Sequence, residues 1–387
     1  MFKTTAEKVP PHSEENTLSK KYSRTKLVLS FLEYAVTLAY FLFLIFAGGS
    51  LWLGRVAEGW VPQTYGKLIV FTLLLFLLNG VLTAPVKFYA NFIVDHRYGL
   101  SNQNFFQWLW EDLKGTLVGL VLTLPLLLVF YYCLHRWPVW WWLPVGTVFF
   151  FFSVALAKLA PVLIFPIFYK FSPIENEDLK SHIVSLCDRV GIRVREILSF
   201  NLSKTTEKAN AALTGLGKTK RIILSDTLLK KFNLGEIEVI FAHELGHTYF
   251  GHIRKTLISG FIFTYAGLFL TAWSFRLTLP HLGFTCVDQI EALPLLFLYL
   301  LLFGLITTPL QNILSRYYER QADRFALELT GNAKDFVEAM NKLSEINLSD
   351  PRPNAVVEFL FYSHPSIEKR IEAALKFARK DYVEMAV

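Results

Sequence analysis

The run His243-Glu244-Leu245-Gly246-His247 sets two imidazoles four residues apart. On a helix that spacing puts both on one face, one turn from each other, where they can converge on a single metal ion. Glu244 is offset around the helix, so its carboxylate reaches a water beside the metal rather than the metal itself. This is the ligand and general-base pattern of zinc-assisted peptide hydrolysis. The same five residues also occur by chance on solvated helices, so their surroundings matter.

A catalytic zinc takes three protein ligands and keeps one position open. The third ligand must come from elsewhere in the chain. His252 does not fit the metzincin pattern, which requires Gly at 250 and His at 253, where this chain has Phe250 and Ile253. His252 therefore reads as a helix-end or interfacial residue. Glu319, in Glu319-Arg320-Gln321-Ala322-Asp323, is the better candidate, on a helix expected to open after the last apolar run. Asp323 falls one turn further on the same face. There it would accept the second N–H of a ligand histidine and fix its tautomer. Arg316, Arg320 and Arg324 are interleaved here, so an exposed charged helix is the competing reading.

The chemistry follows from these types. Zinc acidifies water and polarises the scissile carbonyl. Glu244 takes the water's proton and passes one to the leaving amine. The oxyanion then needs a donor. His364 and Arg370, in Tyr362-Ser363-His364-Pro365-Ser366-Ile367-Glu368-Lys369-Arg370, are candidates, although a His-Pro at a helix start and a surface arginine also have ordinary structural uses.

The elements that must position these residues are mostly apolar. Hydrophobic residues make up 53% of the 387 and charged residues 18%, below the roughly 25% usual in soluble domains. Six stretches approach the length of about 20 residues needed to cross a bilayer. They run near Leu27–Gly48, Leu68–Val86, Gly115–Leu134, Val139–Ile167, Thr256–Phe275 and Ala292–Leu310. Pro161 and Pro166 interrupt the fourth, which is expected to kink. The basic segment before Leu27 is too long for a signal peptide and lacks a clear cleavage site, so it reads as a tail leading into a retained span.

Basic residues crowd the N-terminal tail, the segment after the fourth span and the C-terminal part, whereas the hairpin after the third span has only Arg136. The positive-inside tendency then puts both termini and the active site in the cytoplasm. The net charge of +7 belongs to this pattern, and no nucleic-acid-binding motif accompanies it. Cys133, Cys187 and Cys286 are too scattered for a disulfide framework or a Cys-based zinc site.

The expected organisation is a tail and four spans over 1–169, a soluble segment over 170–255, spans five and six over 256–310, and the rest of the peptidase part over 311–387. Within the soluble segment, 176–190 reads as a helix stopped by Gly191. Glu196–Phe200, Ala209–Thr214 and Arg221–Leu224 read as strands. Asn233 with Glu236 reads as a capping box opening the helix of the histidines.

Further stretches carry a resemblance. Val9-Pro10-Pro11 with Tyr22-Ser23-Arg24, then Asn91-Phe92-Ile93-Val94-Asp95-His96-Arg97-Tyr98-Gly99-Leu100, come first. Ala160-Pro161, Phe171-Ser172-Pro173, Asn210-Ala211-Ala212 with Gly215, and Lys220 through Leu229 follow in order. With the HExxH run, Glu319 to Asp323, and Ser363-His364-Pro365 with Arg370, they make the chain resemble the type I CAAX prenyl proteases over nearly its whole length. That resemblance implies a mainly α fold: a polytopic membrane helical cage around a chamber, with a small α+β zinc-peptidase domain. It implies one zinc ion and a C-terminal CAAX-type peptide, usually prenylated, as substrate. It also implies that Asn210 lies on the strand flanking that substrate and that His364 and Arg370 line the site. The larger members of that family carry an extra N-terminal span. The C-terminal Glu384-Met385-Ala386-Val387 is unlike a KDEL-type tag, and both an ER membrane and a bacterial or archaeal inner membrane stay open. Two other readings compete. A bacterial heat-shock type quality-control protease shares the HExxH run and the downstream glutamate. A metal transporter would need ligands inside the spans, where only Glu33 and Lys158 stand out.

Overall fold

A computed structural model describes residues 15–214 and 221–384. Val9-Pro10-Pro11, Gly215 and Lys220, which carry part of the resemblance, lie outside the described residues.

Six of its helices are long and apolar enough to cross a membrane. They are α1 (Glu15–Phe46), α3 (Thr64–Phe88), α5 (Phe105–Arg136), α6 (Trp142–Leu159), α11 (His252–Thr278) and α12 (Leu293–Thr330). Between the first two lies α2 (Gly49–Trp60), only 12 residues long. The six pack in a ring. α1 contacts α3 and α12, α11 contacts α12 and α6, and α6 contacts α5. The remaining side, α3 to α5, is closed by rings: Tyr65 on Tyr131, and Phe88 on Phe105 and Trp108. At one end α2 buries Leu53 and Ala57 in the same apolar cluster as Leu68, Leu134, Trp141, Phe275 and Leu296.

Two of the long helices loosen where they leave this ring. α3 passes through a π-helical turn, Tyr89–Val94, into α4 (Asp95–Arg97). α6 passes through another, Ala160–Ile164, into α7 (Phe165–Phe168). The second falls at Pro161, where a missing N–H and the ring's bulk prevent a regular α-turn. The kink expected from Pro161 and Pro166 thus takes the form of a π-turn.

The other end of the ring carries a four-stranded sheet of order β1-β2-β4-β3. β1 (Phe171–Pro173) is antiparallel to β2 (Glu196–Phe200), β2 is parallel to β4 (Arg221–Ser225), and β3 (Ala211–Thr214) is antiparallel to β4. The parallel pair needs a crossover, which runs through β3 rather than a helix. Ile222 and Leu224 alternate onto one face and join a second core. That core is built with α8 (Glu177–Arg189), α9 (Asp226–Lys231), α10 (Leu234–Tyr249), α13 (Ala333–Ile346) and α15 (Ile367–Glu384). α14 (Ala355–Phe361) lies against α12.

The caps follow sequence rules. Asn176 and Ser225 accept from the Leu179 and Leu228 N–H groups, and Gly191 turns at φ 66° beyond α8. Asn233 and Glu236 form the reciprocal box at the start of α10. Several boundaries differ from expectation: α5 opens at Phe105 rather than near 115, and β3 at Ala211 rather than Ala209. The helix of Glu319 does not open after span six; it is span six continued, 38 residues without a break through Pro309. α11 starts at His252 rather than near 256. β1 also went unforeseen, because three residues give no alternation to read.

Candidate metal centre

The site is built where α10 crosses α12. Gly246 makes the close approach possible. A Cβ there would lie 3.1 Å from the Ala322 Cα and from the Phe325 ring, so any side chain would push the helices apart. One turn before and just after this crossing point sit His243 and His247, and Glu319 faces them from α12, one turn before Ala322 and Asp323.

The three side chains converge. His243 Nε2 and His247 Nε2 are 3.1 Å apart. Glu319 Oε2 is 3.3 Å from the first and Oε1 is 3.3 Å from the second. Bonds of about 2.0–2.2 Å at tetrahedral angles set ligand atoms roughly 3.3–3.6 Å apart; the two nitrogens are slightly closer than that, and each Glu319 oxygen lies at that distance from one of them. The donor set fits a metal on two further counts. Two imidazole nitrogens face each other with room for only one proton between them. Glu319 Oε2 is buried without a hydrogen-bond partner among the described residues, although buried carboxylate oxygens are normally satisfied. Burial works against a charge on His243, yet Asp323 and Glu319 outweigh it and raise its imidazole to about 10. The site thus favours a cation between the nitrogens and the carboxylate.

Around this trio the remaining candidates take distinct places. Asp323 Oδ1 is 2.8 Å from His243 Nδ1, on the far side of the ring from Glu319. Arg370 grips Asp323 with both prongs, Nε to Oδ2 at 2.8 Å and Nη2 to Oδ1 at 2.5 Å. Burial disfavours the Arg370 charge, but Asp323 outweighs that and holds the guanidinium protonated. Glu244 lies next to His243 on α10, where the Leu213 N–H of β3 reaches its carboxylate and the charges of His243, His247 and Glu319 act on it. Burial raises the Glu244 carboxyl above its usual range, with His243 and His247 opposing. His364 Nε2 stands 3.3 Å from Glu319 Oε1, and its Nδ1 is 2.9 Å from Ser363 Oγ. With 58% of its side chain open, His364 is the accessible member of the group. The protein walls around that recess push its imidazole down.

The loop of His364 is clamped from α12. Buried Arg316 donates to the Glu358 and Tyr362 carbonyls at 3.0 and 2.5 Å, and Asn312 donates to Leu360. Glu358 in turn accepts from the Ser366 N–H and Lys369. Asn210 sits exposed just before β3, its carbonyl accepting from the Ser225 N–H and its own N–H donating to the Ser225 hydroxyl. Two contributors escaped the sequence reading. Arg316 passed for one of three surface arginines. His252 turns out to be buried against His247, with Nδ1 to Nδ1 at 2.9 Å. A hydrophobic neighbourhood on both sides was the available signal for each.

Comparisons with known proteins place this geometry. A model of peptidase family M48 matches residues 173–378. A model of the CAAX prenyl protease N-terminal region, described as five membrane helices, matches residues 5–170. In that region α1, α3, α5 and α6 are long enough to span, and α2 is too short. The metalloprotease YhfN of Bacillus subtilis is 32% identical over 94% of this chain and 86% of its own length. CAAX prenyl protease 1 of Saccharomyces cerevisiae is 28% identical over 80% of this chain and 72% of its own. The crystal structure of S. mikatae Ste24p superposes with a TM-score of 0.84 at 25% identity, covering 93% of this chain and 89% of that one. The fold is a mainly helical multi-pass membrane protein, and the chemistry is that of a metalloprotease acting on protein or peptide within reach of the bilayer. The chain belongs to peptidase family M48, in its CAAX prenyl protease branch.

Proposed function

We propose that this protein is a zinc endopeptidase that cleaves near the C-terminal CAAX-type end of prenylated proteins or peptides. The observation that carries the reading is the meeting of His243, His247 and Glu319 beside Glu244, at the mouth of a ring of membrane helices. In this reading His243, His247 and Glu319 hold one zinc ion. When bound, the ion supplies Lewis acidity for the carbonyl and lowers the pKa of water. Glu244 takes the proton of the attacking water and delivers one to the leaving nitrogen. Its raised carboxyl pKa suits a group that must hold a proton between those two acts.

Asp323 accepts the His243 Nδ1–H and so leaves Nε2 bare toward the trio. Arg370 enters as the group that fixes Asp323 through Nε and Nη2, and the exposed His364, 3.3 Å from Glu319 Oε1, is the donor we assign to the oxyanion. The free edge of β3, just after Asn210, offers backbone groups beside Glu244 for an extended peptide. The basic first turns of α1, with Lys20, Lys21, Arg24 and Lys26, and the peptidase part lie at one end of the ring, Ser23 of α1 donating to the Leu348 carbonyl. The positive-inside tendency assigns that end to the cytoplasm.

The name of the yeast relative and the polytopic ring favour this reading over general quality control. Cleavage of matched CAAX peptides, farnesylated and unmodified, by detergent-purified protein tests it. Chelator-sensitive cleavage near the CAAX end, faster for the lipidated peptide, is expected. Chelator-sensitive cleavage indifferent to lipid and C-terminus would instead assign general membrane proteolysis.

A further inference from the structure

The two ligand histidines are supported differently. His243 has Asp323; His247 has another histidine. Gly251, at φ +65°, turns the chain sharply between α10 and α11, and His252 follows as the first residue of α11. The turn folds His252 back beside His247, and its ring stacks on Tyr318 with centroids 4.5 Å apart. His252 Nε2 is 3.1 Å from Gln321 Oε1, and Gln321 Nε2 is 3.2 Å from the Tyr317 hydroxyl.

With the Gln321 amide placed Oε1 toward His252 and Nε2 toward Tyr317, the direction of this chain of hydrogen bonds follows. An amide oxygen only accepts, so His252 Nε2 carries the proton. The Nδ1 of that neutral ring is then a bare acceptor, and it takes the proton on His247 Nδ1. His247 Nε2 is left with a lone pair aimed at His243 and Glu319. Reversing the Gln321 amide would reverse every link and put a proton on His247 Nε2, facing the trio. We infer that His252 and Gln321 are positioning residues that set the His247 tautomer, with Gln321 fixing the polarity and His252 transmitting it. The inference rests on the reading of His247 as a ligand. It also gives a reason for Gln321 to lie on α12 between Glu319 and Asp323: one helix then supplies a ligand, the outer partner of His243 and, through His252 of α11, the group that orients His247.

Zinc affinity of the full-length protein, measured by competition with a chromophoric chelator, tests this without recourse to turnover. His252→Phe keeps the stacking on Tyr318 but removes the acceptor. Gln321→Leu removes the group that sets direction. Each is expected to weaken zinc 10–100-fold, the usual cost of losing an outer partner. His252→Asn offers an amide oxygen at the Nδ1 position, and Gln321→Glu offers only acceptors; both are expected to retain affinity within scatter of the unsubstituted chain. If His252→Phe and Gln321→Leu bind zinc normally, or if all four variants weaken alike, the pair only packs and the inference falls. Thermal unfolding of the metal-stripped variants separates misfolding from lost affinity. Should His252→Phe fail to fold, the two substitutions at half-buried Gln321 decide alone. His247→Ala completes the set: if it binds zinc as the unsubstituted chain does, the ligand reading fails rather than the relay.

Discussion

α10 and α12 both bring proposed ligands to one point, yet they are different kinds of helix. α10 has 16 residues, a reciprocal cap at its start and a face buried in the core of the peptidase part. α12 has 38, of which the first half belongs to the apolar ring and the second to the peptidase part. On α10 the two proposed ligands and the proposed base are adjacent in sequence, so the candidate metal motif is local. On α12 a single ligand is surrounded by residues whose roles depend on what packs against them. The contrast shows why half of a metal site can be written in five residues while the other half is distributed over a fold.

The sharpest way to break the symmetry between the helices is to remove one carboxylate from each. Glu319→Ala on α12 is expected to lose both metal and hydrolysis, and elemental analysis showing a full zinc complement would remove it as a ligand. Glu244→Gln on α10 is expected to keep zinc while turnover falls by about 10²–10⁴, the usual contribution of a general acid–base. Wild-type turnover in that variant would overturn the division of labour. A smaller effect tests the crossing itself. Gly246→Val puts methyl groups into a gap already at 3.1 Å, so overpacking should cost about 1–3 kcal/mol of stability and lower zinc affinity with it. Unchanged zinc binding with unchanged melting would mean the two helices can separate without harm. Smallest is Asn233→Ala at the α10 cap, expected to cost about 1 kcal/mol in unfolding. Hydrolysis per bound zinc should stay as it was; a proportional loss of activity would show that the cap is felt at the site.

Legibility follows the same divide. The six spans were readable because apolar length is a property of single segments, whereas their closure into a ring was only implied by the family resemblance; β2, α8 and the α10 box were readable because caps and alternation are local. The break expected before Glu319 did not occur, since a change from apolar to charged composition looks like a helix end although the backbone is indifferent to it. Arg316 and His252 were underrated for a related reason. A cation or an imidazole among aromatic residues reads as surface or interface until the element that buries it is known, here α14 for Arg316 and α12 for His252. Where the chain reverses through Gly251, no periodicity carries across the turn, so the neighbourhood of His247 and His252 was invisible to spacing arguments.

The unbroken α12 also makes the protein a depth gauge. Glu319 lies 26 residues beyond Leu293, about 39 Å along the axis at the α-helical rise, against a hydrocarbon thickness of about 30 Å. With Leu293 at the far face of the hydrocarbon layer and α12 upright, a peptide bond offered to the site would wait just outside the oily layer, at a height set by one continuous helix. A substrate whose lipid is held in the bilayer would carry its own spacer to that height, and the number of residues between lipid and scissile bond becomes a length the enzyme can measure.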